Sequence, residues 1–142
     1  MPDITHMIRG AAPVERVASL VGTAQGFTKW WAEDVTEAPD GVVSLGFFNR
    51  QTIYVLRPSP KTPSRISWRC ESGHEWAGTE IAFDLAADKS ATVLRFTHAN
   101  WAAVTDYFTS CNTTWGELMF RIAGEAEGHG RGPLFKRDGL GY

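Results

Sequence analysis

The sequence predicts an α+β domain in which a curved antiparallel sheet of about six strands wraps a long C-terminal helix. Three observations predict this architecture. Apolar and polar residues alternate repeatedly between positions 42 and 98, as in strands with one buried face. A helical apolar period occupies about 103–125, and two short helical segments precede the strands. A chain of 142 residues has the length of one domain, so we expect a single domain over 1–142.

The N-terminal part predicts a first strand followed by a broken helix. A short strand is expected at 3–10, and a helix from about 13 to 22 can begin at its proline without loss of a hydrogen bond. Glycines interrupt this helix, and a second helical turn carries Trp30 and Trp31. An acidic segment containing proline and glycine, 33–41, is expected to be a loop.

The middle of the chain has the period of strands. The segment Ser64 to Cys70 places Trp68 on an apolar face opposite its arginines. The same alternation puts Phe83 and Phe96 on the apolar faces of the next two strands. Short turns join these segments, which predicts an antiparallel meander. Tyr54 lies in a segment whose alternation is ambiguous, so its side chain could face either way.

The last helix is predicted from one continuous apolar stripe that includes Trp115. Its start is expected at Asn100 or Thr105, and a series of glycines beginning at Gly124 ends it. We expect the compact part of the domain to span about 3–127. The glycine-rich tail, 128–142, is expected to be loosely held, although the segment Pro133-Leu134-Phe135 could dock.

The charge balance excludes several classes of partner. Fourteen basic and sixteen acidic residues leave no broad positive field for nucleic acid or for an anionic membrane surface. We find neither a signal-peptide pattern nor an apolar run of about 18 residues, so we expect a cytoplasmic protein that does not insert into a membrane. Cys70 and Cys111 are expected to be reduced, buried thiols, with a disulfide or a metal-binding pair as the alternative. The pattern does not define an oligomeric state.

We expect no metal and no cofactor. His74 and Glu75 are followed by Gly78 where a zinc-binding helix would place its second histidine, and they lie in a predicted turn. The glycine-rich segment 128–132 lacks the preceding strand and following helix of a phosphate-binding loop. Neither motif therefore indicates a bound ion or nucleotide.

The abundance of aromatic residues is the feature that bears most on function. Six Trp, eight Phe and three Tyr are more than packing alone requires. Because a curved sheet cannot lie flat along one helix, it leaves a gap that either large side chains or a ligand must fill. A ligand pocket and a solid aromatic core both remain open. The candidate ligand-binding residues are Trp30, Trp31, Tyr54, Trp68, Phe83, Phe96, His98, Trp101, Cys111 and Trp115.

His98 is the one candidate catalytic residue. It ends an inward-alternating strand, where it could supply a pocket with a polar contact or a general base. Alternatively it is a structural histidine whose ring nitrogens are satisfied by hydrogen bonds. Nothing else in the sequence indicates a reaction.

The order and spacing of several short segments resemble the helix-grip superfamily, also called START-like, SRPBCC or birch-pollen-allergen-like. Within it, the chain resembles the group named after the C-terminal domain of the activator of the heat-shock protein 90 ATPase. The resemblance covers about 3–135. The matching segments are Ala12-Pro13-Val14-Glu15-Arg16-Val17, Trp30-Trp31, Arg65-Ile66-Ser67-Trp68, Gly78-Thr79-Glu80-Ile81, Thr97-His98-Ala99-Asn100-Trp101, Cys111-Asn112-Thr113-Thr114-Trp115-Gly116 and the later segment Gly128 to Phe135.

The resemblance implies a binding function more than a reaction. Members of the superfamily typically bind lipids, sterols, polyketides or other apolar molecules between sheet and helix, and a minority are cyclases or hydroxylase components. We therefore expect a small hydrophobic or aromatic ligand in a cavity between the sheet and the C-terminal helix. A filled core with no void of at least a few hundred cubic ångströms, the scale of typical pockets, would contradict this expectation. The alternatives are a cyclase- or hydrolase-like enzyme that uses His98, and a chaperone-binding module. The last is favoured least, because the chain shows no added domain with which to engage a chaperone.

Overall fold

The computed structural model describes residues 1–137 and 139, which form seven strands and three helices. The strands are β1 (Ile4–Gly10), β2 (Asp34–Glu37), β3 (Val43–Phe47), β4 (Thr52–Pro58), β5 (Arg65–Ser72), β6 (Glu80–Asp88) and β7 (Ala91–Ala99). The helices are α1 (Val14–Val21), α2 (Ala24–Trp30) and α3 (Asp106–Ala126).

All seven strands belong to one antiparallel sheet in the order β1-β7-β6-β5-β4-β3-β2. The register places Phe83 opposite Phe96 and Ile81 opposite His98, so strands β6 and β7 present aromatic rings to the same face. An irregularity between Val55 and Leu56 interrupts the pairing of β4 with β5. The α+β class is confirmed, with a curved open sheet and a long C-terminal helix as predicted.

The predicted number of strands, about six, is corrected to seven within the described residues. The additional strand, β2, lies in the segment 33–41 that was expected to be a loop, and its Asp34 pairs with Gly46 of β3. The Asp34 carboxylate is buried, but Arg50 donates to both of its oxygens at 2.9 Å. Arg137 lies 3.3 Å from the same carboxylate. Because these arginines compensate the charge, an acidic residue is tolerated in this strand.

The helix boundaries follow from their caps. Thr23 separates α1 from α2, and its hydroxyl accepts a hydrogen bond from the Gly26 N–H at 2.8 Å. The hydroxyl of Thr105 accepts from the Phe108 N–H at 3.1 Å, so Thr105 caps α3, which begins at Asp106. Of the two predicted starts, Asn100 and Thr105, the structure has the second. The helix continues through Gly124 and ends at Ala126.

Indole side chains close the end of α1. Trp30 donates through Nε1 to the carbonyl of Leu20 at 2.8 Å, and Trp68 donates to the carbonyl of Val21 at 3.0 Å. Carbonyls in the last turn of a helix have no partner within that helix, and these two receive buried donors instead. The two tryptophans therefore fix α1 against α2 and the concave face of the sheet.

Part of the C-terminal tail docks beside α2. The Phe135 N–H donates to the carbonyl of Trp31 at 3.0 Å, and the Phe135 carbonyl accepts from the Glu33 N–H at 2.9 Å. The ring of Phe135 meets that of Phe47 edge to face, with centroids 4.9 Å apart. Of the predicted tail 128–142, positions 138 and 140–142 lie outside the described residues.

Candidate ligand-binding cavity

A cavity of about 150 Å³ lies between α3 and the β3–β4 side of the sheet. It is smaller than the expected few hundred cubic ångströms, and about the size of an apolar cavity that accepts one benzene ring. Within the part of the chain that the structure describes, no charged side chain lines it. The lining residues are Trp31, Phe47, Phe48, Tyr54, Trp76, Tyr107, Ser110, Cys111, Thr114, Trp115, Leu118 and Phe135.

Trp76 and Tyr54 form a stacked pair in the cavity wall. Trp76 lies in the turn between β5 and β6 and is buried, and its ring is 3.7 Å from that of Tyr54 at an interplanar angle of 16°. Gly73, in the same turn, has φ +136°, and a Cβ there would collide with the Tyr54 ring. A glycine at position 73 thus lets the turn pass close to Tyr54 and fold Trp76 inward.

Two further tryptophans complete the aromatic wall. Trp31 follows directly after α2, and its ring centroid is 5.1 Å from that of Trp115 on α3. Trp115 in turn lies 6.1 Å from Trp76 with nearly parallel planes. Three indoles from three different elements therefore meet around the cavity. Such surfaces favour flat apolar molecules.

The helix contributes the polar edge of the cavity. The hydroxyls of Tyr54 and Tyr107 form a hydrogen bond, and Thr114 donates to the carbonyl of Ser110 at 3.1 Å. Burial raises the pKa of Cys111 to about 11, although the Trp76 indole N–H acts to lower it. The thiol is therefore neutral near pH 7, and the cavity has no ionised group in its described walls.

Two of the phenylalanines that line the cavity, Phe48 and Phe135, are only half-buried. Phe48 and the two residues after it have φ between 56° and 66°, a left-handed conformation that is uncommon outside glycine. This loop is held by the docked tail, since the Asn49 N–H donates to the carbonyl of Arg137 at 3.1 Å. Phe48 and Phe135 contact each other with ring centroids 5.9 Å apart.

The structure brings four of the ten predicted ligand-binding residues to this cavity: Trp31, Tyr54, Cys111 and Trp115. The other six do not line it, because they pack against one another and against backbone. The ring centroids of Phe83 and Phe96 are 5.4 Å apart, and the Phe96 centroid lies 4.2 Å from that of Trp115. The residues outside the lining are Trp30, Trp68, Phe83, Phe96, His98 and Trp101. Contact of any of the ten with a ligand stays a prediction.

His98 is a buried link between three elements. Its Nδ1 accepts from the Trp115 indole at 3.2 Å, and its Nε2 lies 2.8 Å from the hydroxyl of Thr79. Burial lowers the pKa of His98 to about 3, so the ring is neutral. Since both nitrogens are engaged, no lone pair of the imidazole faces the cavity. This geometry matches the structural interpretation of His98 and does not provide a general base.

Trp76, which stacks on Tyr54 in the cavity wall, was not among the predicted ligand-binding residues. Trp76 was omitted because the 73–78 segment has no alternation and was assigned only as a turn. The signal that could have found it is a large aromatic residue placed between Gly73 and Gly78. A turn with flanking glycines can fold an indole under the sheet, whereas solvent exposure of that ring would be costly. Tyr107 of α3 also lines the cavity and was not among the predicted ligand-binding residues.

Among residues 1–137 and 139, no group of three or more histidine, cysteine, aspartate or glutamate side chains is arranged to hold a metal ion. None of the helices in that part of the chain combines the length and the apolar character needed to cross a membrane.

No family model and no curated protein matches the chain, but solved structures do. The solution structure of the Aha1 dimer from Colwellia psychrerythraea is 28% identical, with a TM-score of 0.80 over 91% of this chain and 98% of that one. DynU16, a protein of the dynemicin biosynthetic locus, is 15% identical with a TM-score of 0.76 over 95% of this chain, which spans about half of DynU16 (51%). A START superfamily protein from Mycobacterium smegmatis is 15% identical, with a TM-score of 0.67 over 88% and 97% of the two chains.

Proposed function

We propose that this chain, which has the START-like helix-grip fold, binds one small apolar or aromatic molecule between its sheet and α3. The observation that carries the proposal is the cavity of about 150 Å³ walled by the rings of Trp31, Trp76 and Trp115. Protein interiors pack densely, so an opening of this size among so many large side chains calls for an explanation. Occupation by a guest supplies one.

The dimensions and chemistry of the walls restrict the guest. A volume of about 150 Å³ suits one ring of the size of benzene rather than a sterol or a long acyl chain. The described walls contain hydroxyls, a neutral thiol and indoles but no charge. Burying an ionised ligand there would leave it unpaired, which is strongly unfavourable. We therefore favour a neutral single-ring ligand.

Titration with toluene tests the proposal. Binding is measured by calorimetry and by tryptophan fluorescence, which is expected to change because three indoles line the cavity. Ser110 is exposed at the cavity edge, so Ser110→Phe is expected to obstruct entry and weaken binding at least tenfold. Thr109→Phe is the matched control, since Thr109 is the adjacent exposed helix residue and does not line the cavity. Absence of toluene binding to the wild-type protein at millimolar concentration would contradict the proposal.

A reaction is not part of the proposal. The enzyme alternative depends on His98 as a base, and both nitrogens of that ring are already engaged by Trp115 and Thr79. A base must reach the proton that it removes, and this ring is turned into the core.

Chaperone binding is a second candidate, favoured by one observation. The Aha1 structure from Colwellia psychrerythraea is similar to this chain over nearly the full length of both. Met7 and Phe120 are exposed apolar side chains that could contribute to a partner surface. The test is a pull-down with purified heat-shock protein 90 together with its ATPase rate. Absence of both binding and stimulation would remove this candidate without affecting the cavity.

We also propose that the chain works in the cytoplasm. Cys70 and Cys111 are both free thiols, with Cys70 buried and Cys111 half-buried. Free cysteines persist in a reducing compartment. Subcellular fractionation of the source cells tests this location, and recovery from an oxidising compartment would contradict it.

A further inference from the structure

The indole N–H of Trp76 is a buried donor without an acceptor. Trp76 is only 4% exposed and lines the cavity, yet its Nε1 has no hydrogen-bond partner in the described part of the chain. The N–H is near enough to the thiol of Cys111, another residue of the cavity wall, to lower the pKa of that thiol, but it makes no hydrogen bond to the sulfur. Buried polar groups are normally paired, so a donor left open beside a cavity points to something that enters the cavity.

Four other buried indoles differ from Trp76 in the hydrogen bonding or in the position of the Nε1–H group. Trp30 and Trp68 donate to backbone carbonyls at 2.8 and 3.0 Å, and Trp115 donates to His98 at 3.2 Å. Trp101 also lacks an acceptor, but it does not line the cavity. Of these five indoles, Trp76 both lines the cavity and has a buried donor without a partner. The sixth indole, Trp31, also lines the cavity, but its Nε1 is not among the buried unpaired atoms of the described residues.

We propose that the ligand is a neutral single-ring molecule that carries a hydrogen-bond acceptor, and that the indole N–H of Trp76 donates to this acceptor. The inference rests on the proposed function, because it assigns the chemistry of a ligand in the same cavity. The ring of the ligand lies among Trp31, Trp76 and Trp115, and its acceptor atom faces the α3 side where Cys111 lies. A carbonyl oxygen suits this position, because an indole N–H donates and cannot accept.

The same aromatic walls also resemble a cage for a quaternary ammonium ion. Such an ion has no acceptor and would leave the Trp76 donor unsatisfied. It would also place a positive charge near the positive end of the N–H dipole. The open donor therefore favours a neutral acceptor over a cation, and tetramethylammonium serves as the probe for the alternative.

Benzaldehyde and styrene form a matched pair of probes. They have nearly the same size and shape, but benzaldehyde carries a carbonyl oxygen where styrene carries a methylene group. One hydrogen bond to a buried donor is expected to make benzaldehyde bind about 2- to 10-fold more tightly than styrene. Calorimetric titration of the wild-type protein measures this ratio. The dissociation constants are compared after correction for the different free energies with which the two probes transfer from water to an apolar solvent.

Two variants locate the donor. Trp76→Phe keeps an aromatic ring and removes the N–H, so the benzaldehyde preference is expected to fall to about 1 while styrene still binds. Trp101→Phe removes the other unpaired buried indole, which lies outside the cavity lining, and is expected to keep the preference. A preference that survives in Trp76→Phe would overturn the assignment.

A spectroscopic measurement on the wild-type protein keeps the proposal testable if Trp76→Phe does not fold. The Nε1–H proton resonance of Trp76 is expected to move downfield with benzaldehyde and much less with styrene. Failure of every aromatic probe to bind would contradict the proposed function itself. Equal binding of benzaldehyde and styrene would leave that function standing and overturn this inference, as would tighter binding of tetramethylammonium than of benzaldehyde.

Discussion

The Trp115 indole N–H donates to Nδ1 of His98 at 3.2 Å, which requires the imidazole to carry its proton on Nε2. That proton then faces the hydroxyl of Thr79 at 2.8 Å, and Thr79 donates to the carbonyl of Trp76 at 2.6 Å. The chain of hydrogen bonds joins α3, β7 and the turn that carries Trp76. Protonation of His98 would break it, because Nδ1 would become a second donor opposite the indole.

This arrangement predicts a loss of stability in mild acid. The pKa of His98 falls from 6.5 to about 3 in the folded protein, so the unfolded chain binds a proton in this interval that the native state does not. The free energy of unfolding therefore decreases as pH falls below 6.5. Between pH 6.5 and 5.0 we expect a loss of about 2 kcal/mol from this residue. Urea unfolding at pH 7.5, 6.5 and 5.0 measures it.

His98→Gln is the control for this dependence of the free energy of unfolding on pH. It is expected to be less stable than the wild type at pH 7.5 but to lose less stability between pH 6.5 and 5.0. Glu71 and Glu127 have lowered pKa values, so their contributions to stability are lost mainly below their ordinary value of 4.5 and change little between pH 6.5 and 5.0. Identical slopes for the two proteins would show that His98 is not held neutral by the fold.

The fold could be predicted because its elements carry strong periodic patterns. Alternation over the segments that became β5 to β7 gave Trp68, Phe83 and Phe96 their buried faces, and all three are buried. β2 was missed because its residues are acidic and its stability depends on Arg50, which is distant in sequence. Local propensity contains no information about such a pairing.

The candidate site was harder to predict than the fold, for a physical reason. The alternation of residues along a strand shows which side chains point into the core. The position of a cavity depends instead on how side chains from different elements pack against one another. Phe96 and Trp115 are both buried, yet only Trp115 lines the cavity. Trp76 lies in a turn, where no period reveals the direction of its side chain.

A single methyl group at Gly46 is expected to destabilise the sheet edge. The Cβ of an alanine at position 46 would lie 2.9 Å from Cγ of Asp34 and closer still to one oxygen of that carboxylate. Arg50 already holds the same carboxylate by hydrogen bonds. Displacing a buried charge from its partner typically costs several kcal/mol, so we expect Gly46→Ala to lower the free energy of unfolding by about 2–4 kcal/mol. Urea unfolding measures the loss.

Gly116→Ala is the matched control for Gly46→Ala. Gly116 lies inside α3, and an added Cβ would meet Cε1 of His6 at an ordinary 3.6 Å. Because alanine favours the helix over glycine, this change is expected to raise the free energy of unfolding by about 0.5–1 kcal/mol. Equal stability of the Gly46→Ala variant and the wild type would show that the Asp34 carboxylate is free to move.

Phe135→Ala tests whether the docked tail covers the cavity. Phe135 contacts Phe47 and Phe48 in the cavity wall and is half-buried, so its truncation is expected to cost about 1–3 kcal/mol of stability. Toluene is expected to dissociate several-fold faster, which line-shape analysis of its NMR signals measures. Lys136→Ala is the control, because Lys136 is exposed and does not line the cavity. A stability loss without a faster dissociation rate would place the route of exit elsewhere.

Alkylation of Cys111 gives an independent report on occupancy of the cavity. Burial raises its pKa to about 11 from an ordinary 9.0, so the thiolate fraction at pH 8 is about 100-fold below that of an unperturbed cysteine. We therefore expect slow reaction with iodoacetamide, and still slower reaction when toluene saturates the cavity. Cys70 is buried, with a pKa raised to about 12, and is expected to react less than Cys111. Cys111→Ser should then show almost no labelling, which mass spectrometry measures. A Cys111 rate that does not change at saturating toluene would place the bound toluene away from this wall of the cavity, because a guest beside the thiol must obstruct the reagent.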